Sequence, residues 1–114
     1  MGVTFKPNTD DMRQSSSLFM IPYLIKRGAK INYYDPTGEK KEFSKHENVS
    51  YYNNIKEVCN NVDLVIIHTE WEEFKALDFK KLSKKMKFKI YDMRNLYSTN
   101  LMKKKGFSYY SIGR

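Results

Sequence analysis

One cysteine, two histidines and three prolines are all that 114 residues hold of those types. With Cys59 as the single thiol no internal disulfide can form, which fits a reducing cytoplasm. No apolar run approaches the ~18 residues of a membrane span, and the N-terminus lacks the zones of a signal peptide. No G-x-G-x-x-G follows any strand-like run, so the standard dinucleotide-phosphate loop is missing. His46 falls in a polar stretch and His68 at the end of an apolar one. Neither has a second ligand at metal spacing, so both read as structural and no metal is expected. Cys59 sits between Val58 and Val62 with no base nearby, and reads as a buried, inert thiol.

What is present describes one globular domain, residues 1–114, 40% hydrophobic and 15% aromatic. The formal charge of +8 asks for an anionic partner without naming it. Much of it lies in "KKLSKKMKFK" (Lys80 to Lys89, with Lys84 at its middle) and "KKK" (Lys103 to Lys105). Neither run interleaves groups suited to base stacking, so both read as solvated helix faces rather than a nucleic-acid patch.

Along the chain, strand-like and helix-like stretches alternate. "GVTF" is a short β-rich run. "SSSLFMIPYLIKRG" offers serine N-caps, apolar residues at Leu18, Ile21 and Ile25, an internal Pro22 and Gly28 as a stop. "KINYYDP" predicts a strand, Thr37 to Asn48 a loop with a helical turn, "VSYY" a strand and "NIKEVCNN" a short helix. "DLVIIHT" is a continuous apolar, β-branched run, as expected of a strand covered on both faces. "WEEFKALDFKKLSKKM" is helical material, with Trp71 and Phe74 as core rather than a stacking platform. "FKIYD", a capped helix over "STNLMKKKG", and "SYYSI" follow. The pattern predicts an α/β fold, a three-layer domain with a mostly parallel sheet of about six strands.

In such folds ligands sit beyond the carboxyl ends of the strands. Past the first run stand Lys6, Asn8, Thr9, Asp10, Asp11 and Arg13; past the second, Asp35; past the fourth, Thr69, Glu70 and Trp71; past the fifth, Asp92, Arg94 and Asn95. With doubly wound order the first, fourth and fifth strands are neighbours, and Lys6, Arg13 and Arg94 converge on one rim. Such a rim suits phosphate, since Arg gives a bidentate fork and Lys a point charge. The alternative is that these residues only cap helices and neutralise Asp10, Asp11 and Asp92.

"GVTFKPNTDDMR", "GAKINYYDP", "VDLVIIHTEWEEF", "KIYDMRN" and "GFSYYSIGR" together resemble, in order and spacing, the C-terminal UDP-binding domain of the UDP-glucose/GDP-mannose dehydrogenase family. "TEWEEF" resembles its UDP-glucose 6-dehydrogenase branch. The resemblance implies a Rossmann-like domain that closes over an active-site cleft and holds the UDP part of UDP-glucose, while the whole enzyme oxidises the sugar to UDP-glucuronate with two NAD. It implies that Phe5 and Lys6 contact the UDP-sugar, that Arg94 grips the UDP moiety and that Arg13 reaches the NAD. The family's cysteine-bearing catalytic segment and NAD fingerprint are missing, so Cys59 is not its nucleophile and no catalytic residue is expected here. The expected partners are therefore UDP-glucose, an N-terminal dehydrogenase half carrying the NAD-binding and central catalytic domains, and a homo-oligomer. The rival readings are a nucleotide-binding module without turnover and a basic nucleic-acid-binding domain.

Overall fold

The computed structural model describes residues 1–83 and 88–113, so Lys84, Lys85 and Lys87 of the basic run lie outside the described residues. Two parallel sheets form. β1 (Ile31–Tyr33) pairs with β2 (Val49–Tyr51), and β3 (Leu64–Ile67) with β4 (Lys89–Asp92), which pairs in turn with β5 (Tyr109–Ser111). Registers run Ile31 with Val49, Leu64 with Lys89 and Ile90 with Tyr109.

Among the described residues there are thus five strands in two sheets rather than about six in one, and "GVTF" is not a strand. Gly2 takes φ +76°, which breaks the extended path. The Val3 and Thr4 amides then meet a side chain instead of a neighbouring strand: both donate to Asp35 Oδ2, at 2.8 and 3.3 Å. The Val3 carbonyl accepts from the hydroxyls of Ser15 and Ser17, each at 2.6 Å. The segment still lies where a central strand would. Gly2 N donates to Tyr34 O beyond β1, while Met1 N donates to Ile66 O and His68 N to Met1 O at β3. The first, fourth and fifth extended segments are neighbours, as the doubly wound order requires.

The helices follow local chemistry. α1 (Ser17–Lys26) runs through Pro22 and ends at Gly28, φ +92°. There the Gly28 and Ala29 amides bond back to Ile25 and Leu24, the Schellman arrangement that a left-handed residue permits. Ser16 at the N-cap makes no capping bond and turns to His68, while the Ser15 and Ser17 hydroxyls donate to Val3 O and the Ser15 oxygen also accepts from Ser17 N at 3.3 Å. α2 (Ile55–Val58) is capped by Asn54 and α4 (Thr99–Lys104) by Ser98. The expected helix from Trp71 is instead a 3₁₀ turn at Glu72–Phe74 followed by α3 (Phe79–Ser83). The loop before β2 holds the expected helical turn, a 3₁₀ segment at Lys41–Phe43.

Neighbouring residues Tyr33 and Tyr34, and Tyr51 and Tyr52, divide between two apolar clusters. Tyr33 and Tyr51 close β1 and β2 on the side of the smaller cluster, and the residue after each strand turns to the larger. The smaller gathers Val3, Met12, Ile21, Tyr33 and Phe43; the larger joins β3, β4 and β5 to α2, α3 and α4 through residues such as Ile67, Phe74, Phe79, Ile90 and Met102. Trp71 and Phe74 belong to that core. β3 is not covered on both faces: Val65 and Ile67 are buried, whereas Leu64 remains 45% exposed. Tyr91 and Tyr110 on the adjoining strands share this half-bare side, because α1 spans only the other half of the sheet plane.

Candidate functional site

Three chain segments meet beyond the carboxyl ends of the opening segment, β3 and β4. The first is the turn from Phe5 to Ser16. It closes on itself through Phe5 N to Asp11 O at 2.9 Å and Thr4 Oγ1 to Lys6 O at 3.0 Å. Asn8 and Gln14 sit in the left-handed region, φ +65° and +60°, which lets the loop reverse twice within a few residues. Phe5 and Lys6 are left exposed at its front.

The second is the turn after β4, organised by one carboxylate. Asp92 is fully buried; its Oδ1 accepts from Arg94 N, and its Oδ2 from Leu96 N, Tyr97 N and the Tyr109 hydroxyl. Four donors on one buried carboxylate satisfy its charge and fix the backbone that carries Arg94.

The third is His68-Thr69-Glu70, which binds the other two together. Thr69 Oγ1 spends its only proton on Thr4 O at 2.8 Å, so the contact with His68 Nδ1 makes the ring nitrogen the donor. Nε2 is then the acceptor for the Ser16 hydroxyl, at 2.8 Å. Burial, reinforced by the neighbouring Arg94, pushes the imidazole pKa down to about 4. The ring therefore stays neutral at ordinary pH.

Arg94 reaches across all three segments. Its Nε donates to His68 O at 2.7 Å and its Nη2 to Phe5 O at 3.4 Å, while Nη1 lies 3.7 Å from Glu70 Oε2. Two backbone carbonyls therefore set the plane of the guanidinium and leave its Nη1 edge to the looser ion pair. The Phe5 backbone is thereby brought to Arg94, with Lys6 next to it in the chain and exposed.

Arg13 is not. Its fork grips Asp11, Nε to Oδ1 and Nη2 to Oδ2 both at 3.1 Å, with 90% of the side chain exposed. The guanidinium holds the Asp11 carboxyl below the usual carboxylate range. For Arg13 the capping-and-neutralising alternative describes the contact; Arg94 instead donates to two backbone carbonyls and pairs loosely with Glu70, meeting Asp92 only through its backbone amide. Asp35 is likewise committed, to two amides of the opening segment and to Thr37 N and Oγ1. Cys59 is buried, its thiol pushed up to about 11.

The scaffold roles of Ser15, Ser16, Ser17 and Asp35 escaped sequence reading, because three serines before an apolar run look like caps. Two surface hollows, one lined by Asn54, Lys56, Glu57 and Asn60 and one by Leu18, Pro22, Phe43 and His46 among others, include none of the rim residues.

The model of the UDP-glucose/GDP-mannose dehydrogenase family, UDP binding domain, matches residues 1–99. A UDP-glucose 6-dehydrogenase of Rhizobium meliloti (strain 1021) is 41% identical over 115 residues, covering 100% of this chain and 26% of that protein. One from Rickettsia felis is 36% identical over 116 residues, covering 99% and 26%. The crystal structure of an NDP-N-acetyl-D-galactosaminuronic acid dehydrogenase from Methanosarcina mazei Go1 superposes with a TM-score of 0.81 at 28% identity, over 99% of this chain and 23% of that one. The chain thus spans about a quarter of the length of the curated relatives it matches.

Proposed function

The chain belongs to the UDP-glucose/GDP-mannose dehydrogenase family, as its UDP-binding domain, and on that premise we propose that its rim holds the UDP moiety of UDP-glucose within a larger UDP-glucose 6-dehydrogenase. The observation that carries this reading is the Arg94 guanidinium, held in plane by His68 O and Phe5 O with its Nη1 edge met only by the looser contact to Glu70 at 3.7 Å among the described residues. Lys6 adds a point charge and Phe5 an exposed ring beside it. Oxidation of the sugar, with two NAD, belongs in this reading to the larger cytoplasmic protein. The residues present do not build a dinucleotide cradle: the first turn carries no glycine between Val3 and Arg27, and the Arg13 fork is engaged by Asp11. NAD is therefore held elsewhere in the enzyme, and Arg13 meets it only by letting go of Asp11. Cys59 is not the nucleophile in this reading, its thiol being buried and pushed up to about 11.

Calorimetry with UDP at physiological salt tests the reading. Charge-assisted contacts of this kind are worth about 1.5–3 kcal/mol, so Lys6→Ala and Arg94→Ala each weaken UDP binding roughly ten- to a hundredfold. Arg13→Ala and Lys103→Ala, the latter an exposed lysine of α4, change it little. Equal losses from all four would show a diffuse effect of the +8 charge instead of a site.

A further inference from the structure

The one acidic group in contact with the Arg94 guanidinium among the described residues is Glu70, and nothing in the fold needs it there. Arg94 is already oriented from two sides: its backbone by the Asp92 carboxylate, its guanidinium by the carbonyls of His68 and Phe5. The Glu70 oxygen stands 3.7 Å from Nη1, outside hydrogen-bond reach, and both side chains are about one-third exposed, 33% and 34%. A carboxylate that oriented the arginine would sit closer and face a second donor. This one does neither. It lies at the edge that the carbonyls leave open, where an incoming phosphate oxygen would have to stand. One guanidinium edge holds either the carboxylate or a phosphate oxygen, so the Arg94–Glu70 contact is lost as the Arg94–phosphate contact forms.

We propose that Glu70 is the exchange partner of Arg94, an internal carboxylate that stands at the phosphate edge and competes with the diphosphate for it. The inference rests on the reading of the rim as a UDP site and adds a residue to it. Its consequence is a site tuned below its greatest affinity, one that takes up a diphosphate without trapping it. The competitor is attached to the rigid end of β3 through Thr69, whose hydroxyl is tied to Thr4 O, so it needs only side-chain rotation to give way.

The test is a double-mutant cycle on the full chain, titrated with UDP and separately with inorganic pyrophosphate at low and physiological salt. An exposed ion pair of this geometry is worth a few tenths to about 1 kcal/mol, so Glu70→Gln tightens both ligands about two- to fivefold, more at low salt. In an Arg94→Ala background the same change does nothing. Glu47→Gln, which removes an equal charge from an exposed loop, leaves both affinities unchanged. Weaker or unaltered binding in Glu70→Gln, with the wild type still binding UDP, overturns the exchange role and leaves the UDP site standing. Tightening that survives Arg94→Ala, or is matched by Glu47→Gln, overturns it as a general charge effect. A folded wild-type chain that binds neither UDP nor pyrophosphate at millimolar concentration overturns both the exchange role and the site.

Discussion

The two halves of the domain are held together by different chemistry. In the half built on β3, β4 and β5, parallel ladders join the strands, and a single apolar cluster with Phe74 and Ile90 fully buried at its centre backs them. In the half built on β1, β2 and the opening segment, the cluster is smaller and side chains do much of the joining. Asp35 takes two backbone amides, Ser15 and Ser17 hold one carbonyl, and Thr69 holds another. The candidate site lies on the seam, with Phe5 and Lys6 from the polar half and Arg94 from the apolar half. A seam of directional bonds sets the positions of charged groups more closely than apolar contact does, because hydrogen bonds weaken steeply with angle and apolar burial is non-directional.

The contrast can be broken first on the apolar side. Phe74→Ala deletes a fully buried ring and should destabilise the domain by about 3–5 kcal/mol. Urea unfolding reads the loss, and a change below about 1 kcal/mol would mean that the larger cluster does not carry the fold.

On the polar side, Asp35→Ala leaves the Val3, Thr4 and Thr37 donors without their acceptor, at a cost of about 2–3 kcal/mol. Here the location of the damage is sharper than its size. Hydrogen exchange should quicken at Val3 and Thr4 while Ile90, bonded to Ser108 O, stays protected. Uniform quickening would show that the halves unfold as one unit and that the distinction between them has no energetic content.

The smallest of these effects concerns the seam itself. His68 has its pKa lowered from 6.5 to about 4 in the folded chain, so below pH 6.5 the unfolded chain binds a proton that the folded one refuses. Its contribution to stability is complete above about pH 6.5 and is lost as pH falls toward 4. By pH 5 the loss should be about 2 kcal/mol. His68→Gln, which cannot titrate, should flatten the unfolding free energy between pH 6.5 and 5 relative to wild type. Parallel acid limbs for the two proteins would refute the buried, neutral imidazole.

Much of this was legible residue by residue. Alternating β-branched and helix-period runs dictate an α/β chain, because strand and helix periods are local properties. Gly28 and Gly106 end helices since a left-handed residue is needed there and glycine meets that need at no steric cost. The order of residues past each strand, Phe5, Lys6 and Arg94 among them, is a consequence of chain order alone, as is the likeness carried by "FKPNTDDMR" and "YDMRN". Other features belong to the tertiary structure, because they depend on partners distant in sequence. Whether "GVTF" is a ladder strand was decided by Asp35, 32 residues from Val3. Whether Arg94 or Arg13 presents a usable edge was decided by what each met: two carbonyls from 26 and 89 residues away for Arg94, a carboxylate two residues away for Arg13. An exposed arginine beside an acid in sequence closes on it locally. One surrounded by carbonyls from other segments is held open, and only the folded chain can supply those.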